Sequence, residues 1–537
     1  MKDCKIIVLL LLVFTTFSCE DYLEPNPESL VTPENMDDPE LLLRGAYEHL
    51  RGSNESWKIT TMMYLIAGSD EATQNAKRTQ SGEEWGIATF GYNTTNTMIR
   101  DVWTFLYGGI NASNHAIALS KKLNKPKIEA EARFMRGFYY FTLATLHGGV
   151  PIIKTPDDDP FTQRASLEEV LLFIEEDWKF AFENGPENPV MAGRTTKYTA
   201  AGFLAKLYLY IGGSQQNNVD AAIEGVASVP EVKKLVSFKD WSDTRTPETY
   251  FQLAEQFASE VYYGRYSLID NYRDNFRKSG EDMARSNEWL FNIEASDLHL
   301  NGNPEAFNAS KWEREFVPTY EFLDLYVKKD TRIGNIGSKA KKKDPTIEIG
   351  NHIFFEDTSF DSKGNNRINK WRKDQALDLH GRWLTMSVPL LRYSDVILML
   401  AEAKFLNGDE TGARDLLNEV RERASSVGSE IDQVVLEEMN TAYFKSDFME
   451  ELMDERKREL AFEGYSRIDL IRTGKFFSAI NSLTDETSAG EEWEMGGPSI
   501  RAMKENLAAH PYRMWLPIPA EQVSVARYIQ NPGYPIE

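Results

Sequence analysis

The stretch from 128 to 147 constrains the fold more than any other part of this sequence, because it carries apolar residues on nearly every side of a helix. Two adjacent stripes run along it at helical spacing: Phe134, Phe138, Phe141 and Thr145 beside Met135, Tyr139, Leu143 and Leu146. A helix that is apolar over so much of its circumference needs packing partners on both sides. Gly148, Gly149 and Pro151 then end it, since glycine tolerates positive φ and proline breaks helices. The stretch therefore predicts a helix buried inside a mostly helical body.

Other segments repeat the helical pattern. Apolar residues recur every three or four positions in the stretches 41–50, 98–122, 199–211, 393–406, 411–423 and 448–463. Ser166 followed by Glu169 is a capping box, which predicts the start of a helix. Small residues at the expected contacts favour a tetratricopeptide-like stack of helix pairs, although no strict 34-residue repeat is visible. We predict a mostly α fold, an α-helical superhelix of such pairs with minor β structure that includes a short strand at 289–293.

Long stretches without helical periodicity separate these segments, at 68–97, 263–315, 332–387 and 474–513. They are rich in Gly, Asn, Asp and Ser, with interspersed Trp and Tyr, and aromatic residues make up 12% of the chain. Loops of this length in a compact domain are usually functional. The lysine-rich run at 339–343 is interpreted as a solvated loop tip, because a formal net charge of −23 argues against nucleic acid as a partner.

The amino terminus has the features of an export signal. Lys2 and Lys5 precede an apolar run at 6–14, which is shorter than the roughly 20 residues that span a bilayer. Cys19 follows this region as in a bacterial lipobox, and the only other cysteine is Cys4, so the body offers no disulfide partner. We predict lipidation of Cys19 after removal of 1–18, a proline-containing tether at 19–37, and a single domain from 38 to 537. The alternative is an ordinary signal peptide cleaved near Ser18.

Signals of catalysis or metal binding are weak. The seven histidines show no HExxH motif and no paired spacing for zinc, and no GxSxG, P-loop or Rossmann fingerprint occurs. A glycosidase needs two carboxylates roughly 5 to 10 Å apart, a pair that counting does not exclude among 83 acidic residues. The run Asp157, Asp158 and Asp159 lacks calcium-loop spacing. We therefore expect no catalytic residue, metal site or cofactor, with a calcium ion in the acidic loops as the alternative left open.

Five segments, taken in chain order, carry a resemblance to a known family. They are WTFLY at 103–107 with Ile110 and Asn114; AEARF at 130–134 through Tyr139 and Tyr140 to GGVP at 148–151; PLLRYSDV at 389–396 with LMLAEA at 398–403; ERKRELAFEG at 455–464 through Asp469 to Arg472; and LPIP at 516–519 closing on QNPGY at 530–534. On these segments nearly the whole mature chain resembles the SusD/RagB family, the surface glycan-binding lipoproteins of Bacteroidetes. Glu20 and Asp21 likewise resemble the acidic export tag of such lipoproteins.

The resemblance implies both a fold and a function. It implies a tetratricopeptide-like helical superhelix, a glycan site formed by the irregular loops, and no catalysis. It also implies a SusC-like TonB-dependent transporter as partner, over which the protein closes like a lid, and a lipid-anchored location in the outer membrane facing the cell surface. The expected role is capture of oligosaccharides or polysaccharide and their delivery to the transporter. A surface glycoside hydrolase and a binder of peptide or another nutrient are the alternatives.

The expected ligand site lies in loops that a helical scaffold holds. We place the scaffold mainly at 38–60, 98–263 and 389–473, and the irregular and ligand-side loops mainly at 68–97, 264–388 and 474–513. Sugars need flat aromatic faces and fixed polar groups. The resemblance places such residues, by region only, in two loops: Asp70, Asn75, Arg78, Trp85, Phe90 and Tyr92, and Tyr272, Arg273, Trp289 and Trp312. A packing role stays open for the rings at 85, 92, 289 and 312, whereas Trp103 is predicted to be core.

The charged residues within the family segments have a structural interpretation. Spacings such as Glu459 to Glu463 place side chains on one helix face, where arginines of a neighbouring helix can pair with them. We therefore predict that these charges fix the register of packed helices and do not bind ligand: Arg133, Arg136, Arg392, Asp395, Glu402, Arg458, Glu459, Glu463, Asp469 and Arg472.

Overall fold

The computed structural model describes most of the helical body of this chain. The described residues are 36–51, 68–75, 81–191, 193–226, 229–276, 287–293, 316–327, 329–333, 354–357, 365–368, 388–485 and 496–535. The predictions made at Cys19, Arg78 and Trp312, the signal segment and most of the tether lie outside these residues. The side chain of Arg273 lies outside them as well.

Helices dominate the described residues, as predicted. In chain order they are α1 (Pro39–Arg51), α2 (Glu83–Ala88), α3 (Thr97–Lys122), α4 (Pro126–His147), α5 (Leu167–Asn184), α6 (Lys197–Gln216), α7 (Pro230–Lys233), α8 (Pro247–Tyr262), α9 (Tyr320–Leu323), α10 (Tyr393–Leu406), α11 (Glu410–Ser425), α12 (Gln433–Tyr443), α13 (Phe448–Glu459), α14 (Ser466–Arg472), α15 (Phe476–Ser482), α16 (Gly497–Ala509) and α17 (Ala520–Ala526). Short 3₁₀ turns cover Val219–Ala222, Tyr272–Phe276 and Pro511–Met514. The capping box at Ser166 is confirmed, because its hydroxyl accepts from the backbone of Glu169 while the Glu169 carboxylate accepts from Ser166.

The long helices pack on one another as a stack that follows the chain. Helix α1 packs on α3, α3 on α4, α4 on α5, α5 on α6, α6 on α8, α8 on α10 and α10 on α11. Such nearest-neighbour packing is the architecture of tetratricopeptide-like superhelices, so the predicted fold class is confirmed. Helix α13 then packs on α10 and α14 packs on α6, while α15 lies beside α14 and α16; together they add a further layer to the end of the stack.

Helix α4 occupies the centre of the core, as its two apolar stripes predict. From 129 to 147 every residue except Arg133 is buried. Close approach on its two sides depends on glycines, because a Cβ at Gly137 would lie 2.5 Å from the Trp178 Nε1, and one at Gly109 would overlap the Tyr139 ring. Trp103 is also buried, which confirms its predicted core role.

In the described part of the chain, eight short strands form four two-stranded antiparallel sheets. They are β1 (Ala72–Gln74) with β3 (Phe316–Pro318), β2 (Trp289–Ile293) with β6 (Val388–Arg392), β4 (Phe354–Asp357) with β5 (Asn365–Ile368), and β7 (Ser426–Val427) with β8 (Glu430–Ile431). The strand predicted at 289–293 is confirmed as β2. Pairing of β1 with β3 joins the first predicted ligand loop to the middle of the chain, a connection between residues more than 240 positions apart.

One prediction about the loops is wrong. The stretch 474–513 was expected to be irregular, but it contains α15 and α16. Phe476 and Ile480, and likewise Ile500, Met503 and Leu507, recur at helical spacing and are buried. The polar, glycine-containing sequence between the two helices hides this periodicity, because both helices are short.

Two features are absent from the described residues. None of their helices is both long and apolar enough to cross a membrane. No group of three or more His, Cys, Asp or Glu side chains within the described ranges is arranged to hold a metal ion.

Candidate ligand-binding site

The charged residues of the family segments form ion pairs, as predicted, and all of them are buried except Arg133 and Asp469, which are half-buried. Arg392 is the centre of this network: its guanidinium donates to Glu288 at 2.7 Å, to Glu459 at 2.9 Å and to Glu463 at 2.7 Å. The other members are paired in the same way: Arg133 with Glu129, Arg136 with Asp177, Asp395 with Lys206 and Arg456, Glu402 with Arg472, Arg458 with Glu455, Glu459 with Arg423 and Arg332, and Asp469 with Arg456 and Arg472.

These pairs keep the buried carboxylates ionised. Burial by itself would raise the pKa of Glu459, yet the guanidinium groups of Arg423 and Arg392 lower that pKa to about 2. Burial likewise opposes ionisation of Glu455, but Arg458 and Arg332 hold its pKa well below the usual value. Carboxylates in this state join helices to one another and cannot donate a proton near neutral pH.

The first predicted ligand loop divides into buried and accessible residues. Asn75, Phe90 and Tyr92 are buried. The Phe90 ring lies edge to face against Phe476 at 5.7 Å, and the Tyr92 hydroxyl donates to the Arg513 carbonyl. Their faces are therefore covered by the chain itself and offer no platform to a ligand.

The second predicted loop is buried too, in so far as it is described. Tyr272 and Trp289 are 3% and 5% exposed. The Tyr272 hydroxyl donates to the Glu459 carbonyl at 2.9 Å, and the Trp289 indole N–H donates to Asn275 Oδ1 at 3.0 Å. Both rings pack beside the Arg392 network, so the packing interpretation applies to them.

Two members of the predicted set stay accessible. Trp85 is half-buried on α2, which packs against α3 and β1. Asp70 precedes β1, and its carboxylate accepts from Lys457 Nζ at 2.6 Å and from the Ser466 hydroxyl at 3.1 Å. The structure thus brings Asp70 against helices α13 and α14, far from it in sequence.

Asp70 lines a groove of about 860 Å³, which we call the α13 groove. The groove lies between α10, α13 and α15, and residues of α9, α14 and the end of α6 complete its walls. Six of its apolar lining residues are half-buried, namely Leu325, Phe405, Leu406, Met449, Met453 and Ala479, whereas Phe322 and Leu470 are buried. A volume of this size accommodates several sugar rings or a short peptide.

Carboxylates outnumber cations on the walls of the α13 groove. Seven Asp or Glu residues and four Lys or Arg residues line it. Each of the four cations is in an ion pair: Lys445 with Asp454, Lys457 with Asp70, Arg472 with Glu402 and Asp469, and Lys475 with Glu450. Among the described lining residues the uncompensated charge is therefore negative.

Apart from Asp70, the sequence predictions missed this groove, because α10, α13 and α14 were assigned to the scaffold and the helices α9 and α15 were not recognised in the stretches assigned to loops. One signal was available. Met449 and Met453 stand four positions apart on α13, a helix otherwise rich in charged residues. Apolar side chains on the outer face of such a helix indicate a surface that contacts something, and methionine is common on adaptable binding surfaces.

Comparison with known protein families gives two matches on this chain. The SusD family model matches residues 268–534, and a model described as starch-binding associating with outer membrane matches residues 21–209. The first covers the strands β2 to β8 and the helices of the α13 groove other than α6. The second covers the lead-in segment, Asp70, Trp85 and helices α1 to α5.

Individual relatives align over most of the chain. The starch-binding protein SusD of Bacteroides thetaiotaomicron is 32% identical, over 84% of this chain and 78% of its own length. A SusD-like protein of Formosa agariphila is 24% identical, over 98% and 97% of the two chains. Among solved structures, a SusD homolog from Bacteroides thetaiotaomicron superposes with a TM-score of 0.67 at 20% identity, over 95% of this chain and all of the other. A laminarin-binding SusD-like protein superposes with a TM-score of 0.62 at 21% identity, over 93% and 100%. At such identities the structures establish a shared fold.

Proposed function

The chain belongs to the SusD family, and from that premise we propose that it binds oligosaccharides at the cell surface without cleaving them. The observation that carries the proposal is the 32% identity to a starch-binding protein over 84% of this chain. The shared fold with a laminarin-binding protein supports it. The bound oligosaccharide would then pass to a TonB-dependent transporter of the outer membrane, and co-purification of the tagged protein with such a transporter from outer membranes would test that step.

The absence of catalysis is part of the proposal. A glycoside hydrolase needs a carboxylic acid whose pKa is raised, so that it can protonate the leaving group. The buried glutamates of α13 have the opposite property, since arginines lower the pKa of Glu459 to about 2 and hold that of Glu455 well below its usual value. Incubation of the purified protein with glycans should release no new reducing ends, and release at enzymatic rates would support the hydrolase alternative.

The ligand class is tested by direct binding. Isothermal titration against neutral and anionic oligosaccharides of about six sugar units should give saturable binding to at least one of them. A peptide panel titrated under the same conditions should give none. Binding of peptides alone would replace the glycan proposal with the peptide alternative.

A ligand bound at the first loop, where the sequence placed it, would stack on Trp85, so Trp85→Ala would then weaken oligosaccharide binding about fivefold, because stacking of a sugar on an aromatic face contributes about 1 kcal/mol. The residue is half-buried on the short helix α2, so the variant should retain its circular dichroism spectrum and thermal midpoint. Trp241→Ala is the matched control, since Trp241 is also half-buried but lies in the segment before α8. Equal affinity of the two variants would remove Trp85 from the site.

Cys19→Ala is expected to release the protein from the membrane, because the proposed lipid is attached to that thiol. After cell fractionation the variant should appear in the soluble periplasmic fraction, whereas the wild type should sediment with outer membranes. Cys4→Ala is the control, because Cys4 lies before the apolar run of the signal and should leave the location unchanged. Continued sedimentation of the Cys19 variant would contradict lipidation at this residue.

A further inference from the structure

We propose that the α13 groove is the oligosaccharide site and that it selects neutral over anionic glycans. This inference rests on the proposed function, and it adds where on the protein the oligosaccharide binds and which class of oligosaccharide is bound. It departs from the sequence-based expectation, which placed the site in aromatic loops.

The floor of the groove suits the apolar face of a pyranose ring. Phe405 is half-buried and packs its ring against Phe448 with 4.8 Å between centroids, which fixes its orientation. Met449 and Met453 extend this surface along α13. A rigid aromatic face beside adaptable methionines provides contacts for sugar C–H groups.

The polar end of the groove suits sugar hydroxyls. There Asp70 accepts from Lys457 and Ser466, so an acceptor and two donors are held within one hydrogen-bonded group. Asp70 and Lys457 are 12% and 20% exposed, which leaves part of each polar head open to the groove. A hydroxyl both donates and accepts, and it can therefore contact a carboxylate and an ammonium group of this kind at the same time.

The charge of the groove determines the ligand class. All four cations that line it are already paired with carboxylates, and Arg456, which is outside the lining, offsets one further charge by pairing with Asp469, so two formal negative charges remain in excess. The whole chain adds a formal net charge of −23. A uronate or sulfate ester would approach like charges without an unpaired cation among the described lining residues, which is unfavourable at short range. A neutral glycan has no such barrier.

The ligand class is tested on the full mature protein by titration with neutral gluco-, manno-, xylo- and galacto-oligosaccharides and with oligogalacturonate and heparin oligosaccharides of similar length. We expect the tightest neutral ligand to bind at least about tenfold more tightly than any anionic one at low salt. An anionic ligand that binds as tightly or more tightly would overturn the selectivity and leave the proposed function standing. Binding of no glycan at all would overturn the proposed function itself.

The place of binding is tested with the neutral ligand that binds most tightly. Met453→Glu puts a charge on the apolar floor, and Ser478→Trp puts a large ring on an exposed residue of the groove wall. We expect each to lower affinity at least about tenfold. Met191→Glu and Ala508→Trp are the matched controls, because both positions are exposed and lie outside the groove, and they should stay within about twofold of the wild type.

Thermal midpoints separate loss of binding from loss of folding. Ser478→Trp keeps the test valid if Met453→Glu is destabilised, since residue 478 is exposed on the surface of α15. If both groove variants keep wild-type affinity while Trp85→Ala weakens binding, the ligand binds at the loop and the groove proposal is wrong. Glycan binding would stand in that case.

Discussion

Arg392→Met lowers the free energy of unfolding by about 4 kcal/mol, the largest effect we expect from any single substitution in this chain. The guanidinium is 1% exposed and donates to three carboxylates and to the Glu459 carbonyl. Methionine fills a similar volume but leaves Glu288, Glu459 and Glu463 buried with fewer cations beside them. Breaking a buried ion pair by removing one partner is costly because the remaining charge has lost its solvent and its counter-ion.

Chemical denaturation at pH 7 measures this loss. Arg100→Met is the matched control, since Arg100 pairs with Asp101 and Glu521 but its side chain is 36% exposed. Exposed pairs of this type contribute about 0 to 1 kcal/mol. A loss of less than about 1 kcal/mol for Arg392→Met would contradict the view that the network holds β6, α11 and α13 together.

Acid unfolds this protein, with loss of stability that begins below about pH 6.5 and is complete near pH 2. Arginines lower the pKa of Glu459 to about 2, against burial, and Arg456 and Arg472 do the same for Asp469. Both groups have lower pKa values in the folded than in the unfolded chain. Their contribution is therefore present above the unfolded pKa of about 4 and is lost as the pH falls towards 2.

The buried histidine also lowers stability as the pH falls, and its effect begins at a higher pH. Burial, with a smaller effect of Arg164, lowers the pKa of His147 to about 3. The unfolded chain binds this proton near pH 6.5 and the folded chain does not, so stability declines between about pH 6.5 and pH 3. Each of the three groups is worth on the order of 2 to 5 kcal/mol, which together approaches the total stability of an ordinary domain.

Denaturant titrations from pH 7 to pH 2.5 measure this dependence. Asp469→Asn provides an internal comparison, because it removes one of the titrating groups. At pH 7 the variant should be less stable than the wild type by about 2 kcal/mol, and the difference should shrink towards zero near pH 2. If the free energy of unfolding of the wild type does not change between pH 7 and pH 3, protonation of these groups does not cause the loss of stability in acid.

Sequence patterns predicted the scaffold well where a local rule was sufficient. The two apolar stripes of 128–147 predicted a helix packed on both sides, and α4 is buried on nearly its whole circumference. The Gly-Gly-Pro stop was also predictable, and its reason is visible at Gly148. This residue has φ +78°, and a Cβ there would collide with the Leu235 carbonyl oxygen.

For the charged residues, too, the prediction from sequence agrees with the structure, but for a different reason. Eight charged residues on helices, together with Arg392 at the end of β6 and Glu463 beyond the end of α13, had to be paired, since burial of an isolated charge is prohibitively unfavourable. The sequence could indicate pairing but not the partners. Arg392 meets Glu288 from before β2 and Glu463 from beyond α13, contacts between residues 104 and 71 positions apart.

The ligand residues were less predictable, because aromatic side chains serve packing and binding equally well. Phe90 and Tyr92 lie in a loop, Tyr272 in a 3₁₀ turn and Trp289 in β2, yet each is at most 5% exposed. Nothing in local sequence distinguishes a ring covered by a distant helix from one that faces solvent. Phe90 illustrates this, since its ring packs on Phe476 of α15, in a segment that was expected to be irregular.

The sequence by itself therefore determined the helical class, the family, the central helix and the pairing of the buried charges, because each follows from periodicity or from the energetics of burial. Only the tertiary structure decided which aromatic rings are covered and that Asp70 lies beside Lys457, 387 positions away. The α13 groove belongs to the second kind of result. It is formed where helices from distant parts of the chain meet, and the shape of such a junction depends on packing that no local pattern records.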